Sequence, residues 1–365
     1  MILMGLANVY KAKTYLLPML KIKEIERIHI IRDIPFYNHD KVSFHSPPKK
    51  LIKNPILKTI YKFVLSILII LKNDIDLIYG IQMFPHGIIT WLLSRIFSKK
   101  YVFAVISGDG EIHSKINFVS FLARKAIREA NFLMLEGSTK EIVLKTEIPD
   151  FLYDLGISEE KILPGYSSCF TTSFFPTNSE SIWDIITITR LHKIKRINIF
   201  INIIEKVNKI KKLKCAIIGD GPMEASLKKM VKKKNLQNVI EFLGEIPNNK
   251  LNKYYNQSEI FLLTSKNEGL PATIIEAMLT ETCTISADVG SISTCIKHGV
   301  NGFLFNPYNY SESILLIIKL LENKDILNKT AKNGRETALK YSAWNRIKTW
   351  ENIVHEYMKH YFNRN

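Results

Sequence analysis

The sequence predicts an α/β protein that consists of two Rossmann-like domains in tandem. Its 365 residues exceed one ordinary domain and suit two domains of about 150 to 200 residues each. In both halves, short runs rich in Ile, Val and Leu alternate with helical patterns. This alternation is typical of parallel sheets that are covered by helices on both faces.

The predicted strands are the short apolar runs. In the first half they lie near Ile2–Met4, Arg27–Ile31, Leu77–Tyr79, Tyr101–Ile106, Phe132–Leu135 and Lys161–Leu163. In the second half they lie near Asp184–Ile188, Lys214–Ile218, Val239–Leu243, Ile260–Thr264, Thr284–Ala287 and Gly302–Phe305. Helical spacing is clear in Ile56–Leu71 and Ile197–Ile204 and around Leu227–Val231.

The domain boundary is predicted between residues 170 and 180. The segment Pro164–Ser181 is rich in Ser, Thr, Phe and Pro and has no period, so we expect domains over 1–170 and 180–344. An amphipathic helix over about residues 345–365 is expected to pack back on the first domain. Open parallel sheets bind ligands at the carboxyl ends of their strands. We therefore expect a site in a cleft between the domains.

The net charge of +17 predicts an anionic partner: nucleic acid, a membrane surface or a phosphorylated ligand. A nucleic-acid-binding protein is the hypothesis from a different class. Its best support is the lysine run Lys228, Lys229, Lys232, Lys233 and Lys234. No aromatic residues are interleaved with these lysines, and the apolar residues of the same helix face the other way. The pattern favours a solvated helix face and no nucleic-acid partner.

The four cysteines indicate a cytoplasmic protein. They are widely spaced and include no C-x-x-C pair, which favours reduced, buried thiols. The most apolar run, Phe63–Leu71, has nine residues, far fewer than the roughly 20 that span a bilayer. Lysines interrupt the apolar start of the chain, so we expect no export signal.

The segment Ser265–Met278 carries the strongest chemical signal. It reads S-K-N-E-G-L-P-A-T-I-I-E-A-M and follows the predicted strand IFLLT directly. A strand, a turn with Gly269 and Pro271, and an apolar helix form an anion site, because free amides at a helix N-terminus point outward. Glu268 precedes the turn and Glu276 lies within the helix, so the two carboxylates face different parts of one ligand. The alternative is a purely structural turn in which Glu268 caps the helix.

A pair of cations follows an earlier strand. The strand IITIT runs into Arg190 and, five residues later, Lys195. Arg offers a planar fork of donors and Lys a point charge, so together they can clamp a diphosphate from one side. In isolation, such a pair is more often solvated surface.

These two segments resemble the retaining glycosyltransferases of family 4, which have the GT-B architecture of two Rossmann-like domains facing across a cleft. Glu268 and Glu276 with the intervening G-L-P match the family's E-x7-E signature. The resemblance implies that Glu268 contacts the donor hexose and that Glu276 holds the ribose hydroxyls. It also implies donor contacts along the turn between them, at Gly269, Leu270, Pro271, Thr273 and Ile274.

Arg190 and Lys195 match the family's G-R-L-x-x-x-K-G element, whose Arg and Lys neutralise the leaving diphosphate. Thr189 and Arg196 stand where this element has glycines, which leaves both charges in place. Three weaker segments agree in order, namely the G-D-G-P turn, the E-F-L-G-E segment and G-V-N-G-F-L. The resemblance covers roughly residues 130–345 and implies further donor contacts at Gly219, Gly244, Glu245 and Ile246.

In the first half the resemblance rests on layout, and the candidates lie at strand ends. Asp109 follows a predicted strand at the place where family members carry an acceptor-side or sugar-contacting residue, so we assign it to the catalytic group with Glu268, Arg190 and Lys195. The acceptor-side candidates are His86, His113 and Asn8. A lone His at a strand end is more often a surface or packing residue.

We expect neither a metal nor a bound cofactor. The pair Asp74 and Asp76 resembles a D-x-D metal motif, but it precedes a strand and has no matching site. No His/Cys cluster has zinc spacing, and neither a P-loop nor a G-x-S-x-G elbow is present. The nucleotide diphosphate sugar is expected as a co-substrate.

The resemblance implies a retaining, metal-independent glycosyltransferase. We expect it to transfer a hexose from a UDP- or GDP-sugar to a glycan or lipid-linked acceptor, in bacterial surface polysaccharide synthesis. The alternative within the same fold is a nucleotide-sugar epimerase or a glycan phosphorylase. An epimerase needs its own acidic base arrangement and a phosphorylase a cofactor lysine, and neither is identified in the sequence.

The chain is also expected to attach peripherally to the inner face of the plasma membrane. Five lysines crowd the segment that runs into the apolar helix ending at Leu71, namely Lys49, Lys50, Lys53, Lys58 and Lys62. A basic apolar helix can lie on an anionic membrane, held by its charges. The alternative is an ordinary helix that covers a sheet and shows a thin lysine stripe to solvent.

Overall fold

The computed structural model of the protein describes residues 2–4, 9–81, 86–105, 117–135, 138, 152, 154–167 and 169–362. The chain divides into two compact units. The N-terminal unit comprises Met1–Ser168 together with Ala343–Asn365, and the C-terminal unit comprises Cys169–Ser342.

The N-terminal unit is built on a parallel sheet. Its described strands are β1 (Ile2–Met4), β2 (Ile28–Ile31), β3 (Val42–His45), β4 (Leu77–Ile81), β5 (Lys100–Val105), β6 (Phe132–Leu135) and β7 (Ile162–Pro164). They lie in the order β3-β2-β1-β4-β5-β6-β7. The central strands β4 and β5 are almost wholly buried, as expected for a sheet with helices on both faces.

Before the domain boundary, the helices whose bounds lie in the described part of this unit are α1 (Val9–Leu20), α2 (Lys49–Ile52), α3 (Pro55–Lys72), α4 (Ile88–Ile96) and α5 (Asn117–Glu129). The start of α3 is well defined by its sequence. The side chain of Asn54 accepts hydrogen bonds from the amides of Ile56 and Leu57 at 3.0 and 3.1 Å, and Pro55 occupies the first helical position. None of the described helices is long and apolar enough to cross a bilayer.

The C-terminal unit contains a second parallel sheet. Its strands are β8 (Trp183–Ile188), β9 (Cys215–Ile218), β10 (Ile240–Gly244), β11 (Ser258–Leu263), β12 (Cys283–Ala287) and β13 (Phe303–Phe305). Its helices are α6 (Ile197–Asn208), α7 (Glu224–Lys233), α8 (Leu251–Asn256), α9 (Ala272–Leu279), α10 (Ile292–Cys295), α11 (Ser311–Glu322) and α12 (Lys324–Leu339). The strand order is β10-β9-β8-β11-β12-β13.

The predicted strands are confirmed, with their ends displaced by no more than two residues; Ile106 lies outside the described residues. The sequence did not predict β3, which pairs with β2 at the edge of the first sheet. All four residues of β3 are half-buried, and Ser43 and His45 interrupt its apolar character. A short edge strand of this kind lacks the buried apolar run from which the other strands were inferred.

Both alternatives of the sequence analysis place Lys58 and Lys62 on the outer side of α3, and this orientation is wrong. Its polar stripe of Lys58, Lys62 and Ser66 faces the inside of the unit, where Ser66 is fully buried and Lys62 is only 4% exposed. The two lysines form ion pairs with Asp33, which follows β2, at 2.8 and 2.6 Å. The half-buried carboxylate of Asp33 is therefore the physical reason why these lysines turn towards it.

The chain returns to the N-terminal unit through the last helix, α13 (Arg346–Phe362), which contacts α1. Arg346 is completely buried and donates hydrogen bonds to the carbonyl oxygens of Thr14, Gly165 and Tyr166 at 2.9, 2.5 and 3.3 Å. Its guanidinium carbon lies 4.3 Å from the ring centroid of Tyr15. Arg346 thus holds three separate stretches of the same unit together.

We expect Arg346→Met to lower the free energy of unfolding by about 3 kcal/mol or more, because buried carbonyl oxygens lose their donor. Arg124→Met, which removes an exposed arginine from α5, should change it by less than about 0.5 kcal/mol. Urea unfolding of both variants measures the difference. Equal losses would show that the buried hydrogen bonds of Arg346 do not stabilise the unit.

Candidate active site of the C-terminal unit

The strand order of the second sheet reverses between its central strands β8 and β11. In open α/β sheets, ligands bind at the carboxyl ends of the strands at such a reversal. The loop after β8 carries Arg190 and Lys195, and the loop after β11 carries Glu268. The fold therefore brings the three residues that the sequence analysis assigned to charge chemistry to one edge of the sheet.

Two glycines allow the loop after β8 to pack closely against the turn after β9. Gly219 has a φ of +128°, and a Cβ there would lie 2.0 Å from the carbonyl oxygen of Thr189. Gly221 has a φ of +149°, and its Cβ would lie 2.6 Å from the carbonyl oxygen of Leu191. The amide of Leu191 in turn donates to the carbonyl of Asp220 at 2.6 Å. The G-D-G-P turn thus supports the loop that presents Arg190.

The loop after β8 is also attached to the end of β11. The hydroxyl of Thr264 donates to the carbonyls of Lys195 and Arg196 at 3.2 and 3.1 Å, and the amide of Lys266 donates to Ile194 at 2.8 Å. Arg196, which stands where the resembling element has glycine, adopts a left-handed conformation with φ of +51°. Its guanidinium donates to the carbonyl of Pro307 at 2.7 Å, which offsets part of the cost of this conformation.

Lys195 and Glu268 form an ion pair. The Nζ of Lys195 lies 2.5 Å from Oε1 of Glu268, and both side chains are largely shielded from solvent. The side chain of Arg190 is exposed and makes no hydrogen bond or ion pair with any residue that the structure describes. The α9 helix begins after Pro271 without a side-chain cap. The alternative that Glu268 caps this helix is therefore wrong.

Gly290 fixes the backbone of Glu268. It has a φ of +58°, and a Cβ at this position would lie 1.7 Å from the carbonyl oxygen of Glu268. Only glycine combines this conformation with such a close approach. The sequence analysis did not identify Gly290; its one sequence signal is a glycine shortly after the apolar run of β12.

The turn between the two glutamates leads into α9. Gly269, Leu270, Pro271 and Thr273 are exposed or half-buried, whereas Ile274 is buried. The amide of Ile274 donates to the carbonyl of Pro271 at 3.1 Å and closes the first turn of the helix. Amides before this first bond have no partner within the helix. This is the property for which the sequence analysis singled out the turn.

Glu276 is buried in α9 and is 3% exposed. Its carboxylate accepts hydrogen bonds from the hydroxyl of Tyr255 at 2.9 Å and from the side-chain amide of Asn248 at 3.1 Å. Burial raises the pKa of Glu276 to about 7, and the two hydrogen bonds oppose this shift. Tyr255 and Asn248 were not predicted, because nothing in the sequence marks a tyrosine on α8 and an asparagine before it as partners of a residue on α9.

Gly244 is the last residue of β10, and Glu245 and Ile246 follow it at the same edge of the sheet. Gly244 has a φ of +69°, and its carbonyl accepts a hydrogen bond from the amide of Gly219 at 2.8 Å. Glu245 is exposed and Ile246 is half-buried. The structure thus brings Gly219 and Gly244 together, and the contacts of these residues with a donor stay a prediction.

In the N-terminal unit, His86 precedes α4 and lies near Lys62, Asp33 and Lys58. Burial and the charge of Lys62 lower the pKa of His86 to about 4, so its imidazole is neutral near pH 7. Its Nδ1 atom is buried and has no hydrogen-bond partner among the described residues. Asn8, Asp109 and His113, the other candidates of this unit, lie outside the described residues.

Asp74 and Asp76, the pair that resembles a metal motif, are exposed residues that follow α3. Asp76 accepts a hydrogen bond from the hydroxyl of Tyr357 on α13 at 3.0 Å. This contact gives Asp76 a structural role.

Comparison with known proteins identifies a matching family model and several relatives. Residues 171–337 match the model of the family described as "Glycosyl transferases group 1". The chain is 22% identical over 300 residues to N-acetyl-alpha-D-glucosaminyl L-malate synthase of Bacillus anthracis, an alignment that covers 80% of this chain and 75% of that protein. It is 29% identical over 273 residues to the uncharacterized glycosyltransferase MJ1059 of Methanocaldococcus jannaschii, covering 66% of this chain and 64% of that protein.

The fold is similar to that of HepE from Anabaena, whose crystal structure was solved in complex with UDP. The TM-score is 0.75 at 15% sequence identity, over 97% of this chain and 99% of HepE. The chain therefore has the mixed α/β fold with parallel sheets of GT-B glycosyltransferases, and it is an enzyme of the glycosyltransferase class. More particularly, the residues that match the group 1 glycosyl transferase model, 171–337, all lie within its C-terminal unit.

The raised pKa of Glu276 predicts a pH-dependent stability. Because the pKa in the folded protein lies above the ordinary value of 4.5, the stabilisation associated with the protonated form is lost as the pH rises through about 7. Glu276→Gln removes this titration. The free energy of unfolding of the variant, relative to that of the wild-type protein, should therefore rise by about 3 kcal/mol between about pH 5 and about pH 8. Urea unfolding at several pH values measures the gain.

Glu322→Gln on α11 is the control, because Glu322 is exposed. The free energy of unfolding of this variant should equal that of the wild-type protein at each pH. A difference between Glu276→Gln and the wild-type protein that stays constant with pH would contradict the assigned pKa shift.

Proposed function

We propose that the chain transfers a hexose from a nucleotide diphosphate sugar to a glycan or lipid-linked acceptor, with retention of the anomeric configuration and without a metal ion. The observation that carries this proposal is the Lys195–Glu268 ion pair at the reversal of the C-terminal sheet, beside Arg190 and the start of α9. This edge lies within the matched group 1 glycosyl transferase segment.

The chemical role of the cations follows from the charge of the leaving group. When the bond between the sugar and the diphosphate breaks, negative charge builds up on the departing phosphate oxygens. Arg190, Lys195 and the free amides before α9 are donors in fixed positions that stabilise this charge. Such donors perform the task for which other enzymes use a metal ion.

The ion pair implies an exchange of partners on donor binding. In the structure, Glu268 neutralises Lys195 at 2.5 Å. A bound diphosphate would take over Lys195 and leave the carboxylate of Glu268 free to accept hydrogen bonds from hydroxyls of the hexose. The same two side chains would then serve the two ends of the bond that breaks.

Glu276 has different surroundings and, we propose, a different task. Its carboxylate is already held by Tyr255 and Asn248, which orients it before a ligand arrives. We assign it to the ribose hydroxyls, with Gly219, Gly244, Glu245 and Ile246 along the nucleoside. For the configuration to be retained, the acceptor hydroxyl would attack the sugar from the side of the leaving group. An oxygen of the departing phosphate would take the proton of this hydroxyl.

The comparisons and the charge of the chain support particular classes of donor and acceptor. HepE was solved with UDP and with UDP-glucose, which supports a UDP-sugar ahead of a GDP-sugar. We propose that the N-terminal unit binds the acceptor through Asp109, with His86, His113 and Asn8 as further candidates. We place the reaction at the cytoplasmic face of the bacterial plasma membrane, in surface polysaccharide synthesis.

Release of UDP or GDP from a panel of their sugars tests the reaction, and the cation assignment predicts its loss. Arg190→Ala and Lys195→Met should each lower kcat by about a hundredfold or more, because each donor to developing charge is worth roughly 3 to 4 kcal/mol. Lys193→Met, an exposed lysine two residues away, should retain activity. No release from any sugar would refute the proposed function; full activity of both variants would refute the roles of Arg190 and Lys195.

The two glutamates should differ in their effect on nucleotide affinity. Glu268→Gln frees Lys195 from its internal counter-ion and should strengthen UDP binding about fivefold, since a shielded ion pair is worth about 1 kcal/mol. Glu276→Gln should weaken UDP binding. A carboxylate has two acceptor oxygens, whereas the amide of Gln has one acceptor oxygen and a donor nitrogen. Calorimetric titration with UDP measures both. Equal losses would contradict the division of tasks.

A further inference from the structure

One face of α3 is both apolar and exposed. The residues Ile56, Ile60, Val64, Leu68 and Leu71 follow one another at intervals of three or four, which places them along one side of the helix. Ile56 is 73% exposed and Leu71 is 68% exposed. At 1.5 Å per residue, the stripe is about 22 Å long.

This stripe is not needed for the core of the N-terminal unit. The opposite side of α3 buries Ile69 and Ile70 and directs Lys62 and Ser66 inward. The apolar residues of α3 thus lie both inside and outside, which is unusual in a helix that covers a sheet, because such a helix ordinarily shows polar residues to water. A long exposed apolar stripe indicates an interaction surface.

The two neighbouring helices extend the same surface. The helices α3, α4 and α5 pack side by side over one face of the sheet. The outer sides of α4 and α5 add further exposed apolar residues, Leu92, Ile96, Phe118 and Phe121. We call the exposed apolar residues of the three helices the α3–α5 face.

The charge around the α3–α5 face is positive. No acidic residue occurs between Lys41 and Asn73. The exposed basic residues include Lys49, Lys50, Lys53 and Lys72 at the ends of α2 and α3, and Arg95, Arg124, Lys125 and Arg128 on α4 and α5. Of these, Arg95 forms an ion pair with Glu129 at 3.6 Å. A second copy of this face would bring like charges together, whereas an anionic lipid surface offers both an opposite charge and an apolar interior.

We propose that the α3–α5 face docks on an anionic lipid bilayer, with α3 lying in the plane of the interface. Its apolar stripe would enter the acyl region, and the lysines at its ends would meet the headgroups. Lys58 and Lys62 take no part, because Asp33 holds them inside. The inference rests on the proposed function, because that function places a lipid-linked acceptor in the membrane. Binding of the chain to vesicles can still be measured without donor or acceptor.

Cosedimentation of the full chain with vesicles of equal parts phosphatidylglycerol and phosphatidylcholine is the test. Ile56→Ser combined with Leu71→Ser should lower binding about tenfold or more, because two exposed apolar side chains are removed from the contact. The matched control is Ile210→Ser combined with Leu315→Ser, which removes the same two residue types at 67% and 71% exposure in the C-terminal unit. The control should bind like the wild-type chain.

A second pair of variants tests the charge. Neutralising Lys49, Lys50 and Lys53 to Gln should weaken binding about tenfold or more, whereas the same change at the exposed Lys229, Lys232 and Lys233 of α7 should have a smaller effect. Vesicles of pure phosphatidylcholine should bind the wild-type chain more weakly than the anionic ones.

Several outcomes would overturn the inference. If the wild-type chain binds UDP but no anionic vesicles, the docking surface is wrong and the proposed function stands. If both double variants lose binding equally, the contact is not specific to α3. If the wild-type chain is a dimer in light scattering and only Ile56→Ser with Leu71→Ser is monomeric, the face is an interface between copies of the chain.

Discussion

The ion pair between Lys195 and Glu268 joins the two loops on which the candidate site depends. These loops leave neighbouring strands, β8 and β11, at the point where the strand order reverses. The pair is shielded from solvent, so its attraction is stronger than that of an exposed pair, and each partner would be costly to leave there alone. If a diphosphate binds Lys195 and a sugar binds Glu268, as we propose, the two ligands would replace an existing interaction between these side chains.

Backbone contacts make this arrangement rigid. Gly219, Gly221 and Gly290 each allow a carbonyl oxygen of a neighbouring loop to approach where a side chain would collide. Thr264 then joins the loop of Lys195 to the end of β11 through two further carbonyls. A site that acts by electrostatics needs donors that do not rearrange during the reaction. The three glycines allow the backbone of neighbouring loops to pack closely, and this packing does not depend on a ligand.

Most of the fold was predictable from the sequence, because each buried strand and each long helix leaves its own period in the chain. The positions of Arg190, Lys195 and Glu268 were also predictable, since each lies in the loop that follows an apolar strand. The pairing of Lys195 with Glu268 was not, because strand order is set by crossovers that leave no local mark. The hydrogen bonds of Tyr255 and Asn248 were not predictable for the same reason, because their common partner, Glu276, lies on another helix.

The orientation of α3 shows where periodicity stops being informative. A helix with apolar residues on almost every side and a thin polar stripe has two possible orientations, and the usual assumption turns the polar stripe to water. Here the half-buried carboxylate of Asp33, after β2, favours the other orientation, because it forms ion pairs with both Lys58 and Lys62 and so stabilises the buried charge of Lys62. The inward turn of the lysines leaves the opposite apolar stripe exposed. One internal charge thus determines the chemical character of an outer surface of the N-terminal unit.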